Sequence, residues 1–146
     1  MAAQDKEQFD SLLRELFLIT KRRFRDVLSG SGMTPPQFHA LVAIDRHGEP
    51  TMGELGDVLF LASSTLTDLV DRLEKDALAE RVRDPEDRRA IRIKLTGRGR
   101  ADLAAVQEAR RRYLTQVLGE LGPERAKLLI AALQELVSVM TRVPTP

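Results

Sequence analysis

The feature that most constrains this chain is a change of period. From residue 5 to residue 75 apolar side chains recur at helical offsets, and at 90–95 the run AIRIKL alternates strictly between apolar and polar. A helical period returns after Leu95 and continues to about Met140. One short strand between helices must pair with a close neighbour, and residues 78–83 offer one across the turn signal Asp84-Pro85-Glu86-Asp87. The chain is therefore expected to be mostly α with a small β-hairpin.

The helical segments are bounded by readable signals. Phe9, Leu12, Leu13, Leu16, Phe17, Phe24, Val27 and Leu28 form one wide stripe over 5–28, stopped by Ser29-Gly30-Ser31-Gly32. Thr34 precedes Pro35 as an N-cap, and this helix, with Phe38, Leu41 and Val42 inward, ends at His47-Gly48. Thr51 and Glu54 make a capping box for a short helix with Leu55, Val58 and Leu59 inward. Ser63 or Ser64 is expected to cap the helix at 63–75, which turns Leu66, Leu69, Val70 and Leu73 to one side. On the hairpin's second strand, Ile91, Ile93 and Leu95 share the face opposite Arg92 and Lys94. Thr96 caps a long helix to about Gly119, and Gly122-Pro123-Glu124 opens the last one. Two helices joined by a short turn make a helix-turn-helix, and the hairpin that follows makes it winged. The remaining helices carry more apolar surface than so small a module covers, so they are expected to pack together and against a second copy. This assigns 34–96 to a winged DNA-binding region and 1–33 with 97–146 to a discontinuous helical dimerisation region.

Charge is uneven in a way the net value of +1 conceals. Residues 51–80 hold two Lys/Arg against seven Asp/Glu, whereas 81–100 hold eight against three. A local basic patch on a hairpin suits a polyanionic partner. The chain has no cysteine, which leaves no disulfide or thiol chemistry, and only His39 and His47 could serve as nitrogen ligands, so no metal or other cofactor is expected. No Ser-His-Asp arrangement or phosphate-cradling glycine loop is evident, and the paired carboxylates lie on exposed faces or turns, which argues against an enzyme. The acidic N-terminus is unlike a signal peptide, and no apolar run approaches the ~20 residues of a membrane span. A cytoplasmic chain without membrane contact is expected.

Residues 64–100, STLTDLVDRLEKDALAERVRDPEDRRAIRIKLTGRGR, together with TPPQFHALVAI at 34–44, resemble the MarR family of bacterial transcription regulators. The resemblance runs from about Phe9 to Met140 and implies a homodimer on a palindromic DNA duplex. It implies a recognition helix in the major groove, a wing at the minor groove and, in many members, release by a small aromatic or anionic effector. On that basis the DNA-contacting residues are Ser63, Ser64, Thr65, Thr67, Asp68 and Arg72 on the helix, with Arg88, Arg89, Arg92 and Lys94 on the wing. Asp87 would hold the wing tip in shape. Arg88 and Arg89 suit the deep negative potential of a narrow minor groove. The resemblance also places Phe17, Phe38 and His39 at the family's ligand pocket; the other reading of His39 is a satisfied, partly buried histidine. Ser63 and Asp68 stand where relatives are often basic, and Asp76-Ala77 where a basic residue and glycine are common. The recognition helix is therefore unusually acidic. A helical dimeric interaction or ligand-binding protein without specific DNA binding is the alternative, and it leaves the basic hairpin unexplained.

Overall fold

The computed structural model describes residues 1–145. Its elements run α1 (Ala3–Leu28), α2 (Pro35–His47), α3 (Met52–Leu59), α4 (Ser63–Lys75), β1 (Ala79–Arg83), β2 (Ile91–Leu95), α5 (Gly97–Leu121) and α6 (Pro123–Arg142). The chain is thus mostly α with one antiparallel hairpin, as its two periods require. It divides into two compact units, Met1–Glu108 and the remainder from Ala109. No helix of the described residues is long and apolar enough to cross a membrane.

In the first unit, Leu41, Ile44, Leu55, Val70, Leu73 and Ile93 are fully buried and bring α2, α3, α4 and β2 onto one core. Local chemistry sets the helix starts. Thr34 Oγ1 accepts from the Gln37 amide while Gln37 Oε1 accepts from the Thr34 amide, and Thr51 with Glu54 repeats this reciprocal cap. The end of α4 is a Schellman turn. Leu78 donates to the Leu73 carbonyl and Ala77 to that of Glu74, with Ala77 in the left-handed region at φ 56°.

β1 and β2 pair from Ala79↔Leu95 to Arg83↔Ile91. β2 also bonds on its other side: Ile93 donates to the Pro50 carbonyl at 2.8 Å, and Thr51 bridges Arg92. The hairpin is thereby tied to the segment before α3, a link the sequence pattern did not reveal. Ile93 and Leu95 are buried as expected, but Ile91 is exposed, because the strand has passed beyond the core by the time it reaches the wing tip. Val58, expected inward, is also exposed; Leu55 alone of α3 is fully buried.

Gly99 sits where α5 crosses the turn after α4. A Cβ there would lie 1.8 Å from the Leu78 carbonyl oxygen, so only glycine permits the approach. Thr96 secures the crossing: its hydroxyl donates to the Ala77 carbonyl (2.6 Å) and accepts from the Gly99 amide (2.9 Å).

Two helices leave apolar rows in solvent. α1 exposes Phe9, Leu12, Leu16 and Phe17, and α6 exposes Leu128, Leu133, Val137 and Met140.

Candidate nucleic-acid interface

The helix-turn-helix consists of α3 and α4, joined by Phe60-Leu61-Ala62. Phe60 takes a left-handed conformation (φ 54°), and the Leu61 amide donates to the Gly56 carbonyl at 3.0 Å, which turns the chain into α4. The expected serine cap is absent. Ala62 is the N-cap, no side chain caps the helix, and Ser63 is already its first residue. The hydroxyls of Ser63, Ser64 and Thr65 are therefore exposed at the helix start rather than folded onto backbone amides. Thr67 donates its proton to the Ser63 carbonyl at 2.8 Å, so in this rotamer its oxygen can only accept from a partner.

Leu66, Leu69, Val70 and Leu73 turn inward, which leaves Ser64, Asp68, Asp71 and Lys75 along the outward row. The acids of this region are not equivalent. Arg81 of β1 forms ion pairs with Asp71 (2.8 Å) and with Glu74. Burial works against the charge of Arg81, but hydrogen bonds to both carboxylates outweigh it and raise its pKa further above the ordinary arginine value. Asp76, expected to add to the acidity of the DNA-facing surface, instead accepts from Gln37 Nε2 at 2.6 Å and so joins α2 to the end of α4. Asp68 and Arg72 have no ion pair among the described residues and are exposed.

In the wing, Asp84 is the organising group. It is only 8% exposed. One of its oxygens accepts from the amides of Glu86 (2.8 Å) and Asp87 (3.3 Å), and the other from Arg92 Nε (2.5 Å). The Glu86 amide first and Arg92 second hold its carboxyl below the ordinary carboxylate range, against the opposing effect of burial. Asp87 Oδ1 accepts from the Arg89 amide at 3.0 Å. Arg92, expected to point outward toward phosphates, is committed within the protein: besides Asp84 it donates to the Glu49 carbonyl at 2.9 Å. Its place in β2, opposite Val82 and beside Thr51, turns the guanidinium back onto the hairpin. Lys94 is exposed and lies opposite Glu80 in the ladder. The side chains of Arg88 and Arg89 are exposed at the tip without a protein partner among the described residues.

The three residues expected at a ligand pocket differ in their surroundings. Phe38 is 2% exposed and packs edge-on against Phe24 at 4.9 Å, which makes it a core residue. His39 is exposed rather than partly buried and lies 5.6 Å from both the Phe24 and Phe38 rings. Phe17 stands 64% exposed on α1. Two clefts are present elsewhere in the first unit. One of about 250 Å³ lies among Ser31, Met33, Lys75, Asp76, Arg98 and Asp102; one of about 190 Å³ lies among Asp45, Glu49, Lys94 and Arg100. None of the three predicted pocket residues lines either cleft.

Sequence reasoning missed Asp84, Arg81 and Gln37. Asp84 carried a signal, since an aspartate before proline favours a turn whose amides its side chain can hold. The partners of Arg81 and Gln37 lie seven to 39 residues away and leave no local trace.

Comparison with known proteins agrees with this geometry. The MarR family model matches residues 31–90. The chain is 38% identical over 130 residues to the uncharacterized HTH-type transcriptional regulator YsmB of Bacillus subtilis, covering 89% of each chain. It is 28% identical to the HTH-type transcriptional repressor MdtR of Bacillus subtilis, covering 77% of this chain and 72% of that one. A MarR family protein from Bacillus stearothermophilus superposes with a TM-score of 0.89 at 37% identity, covering 97% of this chain and 99% of the other. The chain belongs to the MarR family of winged helix-turn-helix transcriptional regulators, and is a DNA-binding regulator rather than an enzyme.

Proposed function

We propose that the protein acts in the cytoplasm as a homodimer that binds a palindromic operator and represses transcription until a small aromatic or anionic effector releases it. The observation that carries the DNA-binding part is the pairing of an outward row on α4 with a wing whose Arg88 and Arg89 lack protein partners among the described residues. Hydroxyls and Asp68 on α4 would meet base edges in the major groove, and the arginines would enter the flanking minor groove. Ser63, Thr65 and Arg72 flank the outward row and would contact phosphates, and Lys94 would do so from the wing. The dimer reading rests on the apolar rows that α1 and α6 expose, since exposed apolar patches mark interaction surfaces. It assigns 1–33 and 97–146 to dimerisation and 34–96 to DNA. MdtR is named as a repressor, which supports that sign of regulation here. Phe17 and His39 remain the residues of this chain proposed to face an effector.

The test is recovery of genomic fragments bound by the purified protein, followed by footprinting and light scattering. A dimer protecting two half-sites about 10 bp apart and related by a dyad is the expected result. A folded monomer at micromolar concentration, or protection confined to one half-site, would overturn it.

A further inference from the structure

We propose that Arg81 is an internal counter-ion that cancels the acidity of the recognition helix toward DNA, leaving Asp68 as the uncompensated carboxylate on its outward row. The inference rests on the reading that α4 enters the major groove. Between Ser63 and Lys75, α4 carries Asp68, Asp71 and Glu74 against Arg72 and Lys75, a balance of −1. A helix of that sign is poorly suited to a groove lined by phosphates. Arg81 brings the balance to zero.

The geometry explains why the cancellation falls on particular acids. The tight turn at Asp76-Ala77-Leu78 sends β1 back along α4, so that Arg81 comes alongside Asp71 and Glu74. Its two terminal nitrogens divide between them, one on Asp71 Oδ1 at 2.8 Å and the other on Glu74 Oε1. Asp68 lies one turn nearer the start of α4 and outside this reach. Each of these pairs is partly exposed and contributes little to folding by itself. Toward a polyanion the same pairs matter more, since each uncancelled carboxylate is repelled by every nearby phosphate. Asp68, left charged, can then discriminate: it is tolerated where it accepts from a cytosine amino group and penalised elsewhere.

The experiment compares wild type, Arg81→Gln and the double variant Arg81→Gln/Asp71→Asn on operator and scrambled duplexes at several salt concentrations. A unit charge roughly 8 Å from a phosphate at intermediate dielectric changes affinity about fivefold. Arg81→Gln removes one such charge from each of the two recognition helices, so it is expected to weaken both duplexes by about the square of that factor, roughly 25-fold, with the loss shrinking as salt rises. The double variant, which restores the wild-type balance of charge, is expected to return to within about twofold with the wild-type salt slope. If the double variant stays weak and its slope of log affinity against log salt falls by about 1.8, one phosphate contact in each half-site, Arg81 itself contacts a phosphate and the proposal is wrong. Unchanged binding by Arg81→Gln also overturns it. Should Arg81→Gln fail to fold, Asp71→Asn alone carries the test. Tighter binding to both duplexes is then expected, and unchanged or weaker binding overturns the proposal. A wild-type protein with no salt-dependent binding to any duplex would instead refute the DNA-binding reading beneath it.

Discussion

Gly99→Ala would set a methyl carbon 1.8 Å from the Leu78 carbonyl oxygen and 2.7 Å from its carbonyl carbon. Both neighbours are backbone atoms, so no rotamer change relieves the clash; α5 and the turn after α4 must separate by more than 1 Å. That movement strains the hydrogen bonds that cross there: the Thr96 amide to the Leu78 carbonyl (3.1 Å) and the Thr96 hydroxyl to the Ala77 carbonyl (2.6 Å). Two weakened bonds cost about 1 kcal/mol each. Forcing an extra carbon into packed backbone adds about 1–3 kcal/mol. The gain in helix propensity from glycine to alanine offsets about 1 kcal/mol. The expected net loss is about 2–4 kcal/mol, a large share of the roughly 5–15 kcal/mol that holds a domain folded. Gly119→Ala is the control, because nothing lies within 4 Å of a Cβ there and only the propensity gain applies. Urea unfolding of the two variants at one protein concentration checks the sign of each. A Gly99→Ala protein within about 1 kcal/mol of wild type would show that the crossing relaxes freely and that this account of it is mistaken.

Ala77→Gly should stabilise the protein by about 0.5–1 kcal/mol, because the left-handed residue of the Schellman turn carries a Cβ that glycine lacks; urea unfolding without a gain would count against strain at φ 56°. Changing Arg88 and Arg89 together to alanine should weaken operator and scrambled duplex by similar factors and lower the salt slope by about 0.9 for each phosphate that is no longer neutralised; binding titrations equal to wild type on both would remove the wing from the interface. Asp68→Asn should relax discrimination at one position per half-site by about 1–3 kcal/mol, read from a series of single-base operator variants, and an equal rise on every duplex would mean that Asp68 reads nothing. Asp84 contributes stability that is fully present above the unfolded carboxylate value and lost as pH falls through its lowered folded value, so the wing should loosen below about pH 4. Amide exchange at Glu86 and Asp87, measured across that range in wild type and Asp84→Ala, checks this: the variant, which lacks the acceptor, should exchange fast throughout, and identical profiles would refute the role.

The sequence was legible where structure is made by neighbours. Thr34 and Gln37, Thr51 and Glu54, and Thr96 and Gly99 act within three residues, so caps and helix starts follow from composition and spacing alone. Alternation in AIRIKL likewise located β2, but the need for glycine at position 99 comes from the Leu78 carbonyl, a neighbour only the fold brings there. What could not be read was the use made of charge. Arg92 and Arg88 are the same residue type four positions apart on one hairpin, yet Arg92 is held by Asp84 and Glu49 whereas Arg88 is not. Asp76 looked like a liability for DNA binding until Gln37, 39 residues away, proved to donate to it. Serines at a helix start suggested a cap, but the left-handed turn at Phe60 delivers the chain to α4 with Ala62 in that place, and the hydroxyls are left for another partner. Each revision moves a charged or polar group out of the interface or into it. The interface proposed is narrower than the sequence implied: hydroxyls, Asp68 and Arg72 on α4, with Arg88, Arg89 and Lys94 on the wing but without Arg92.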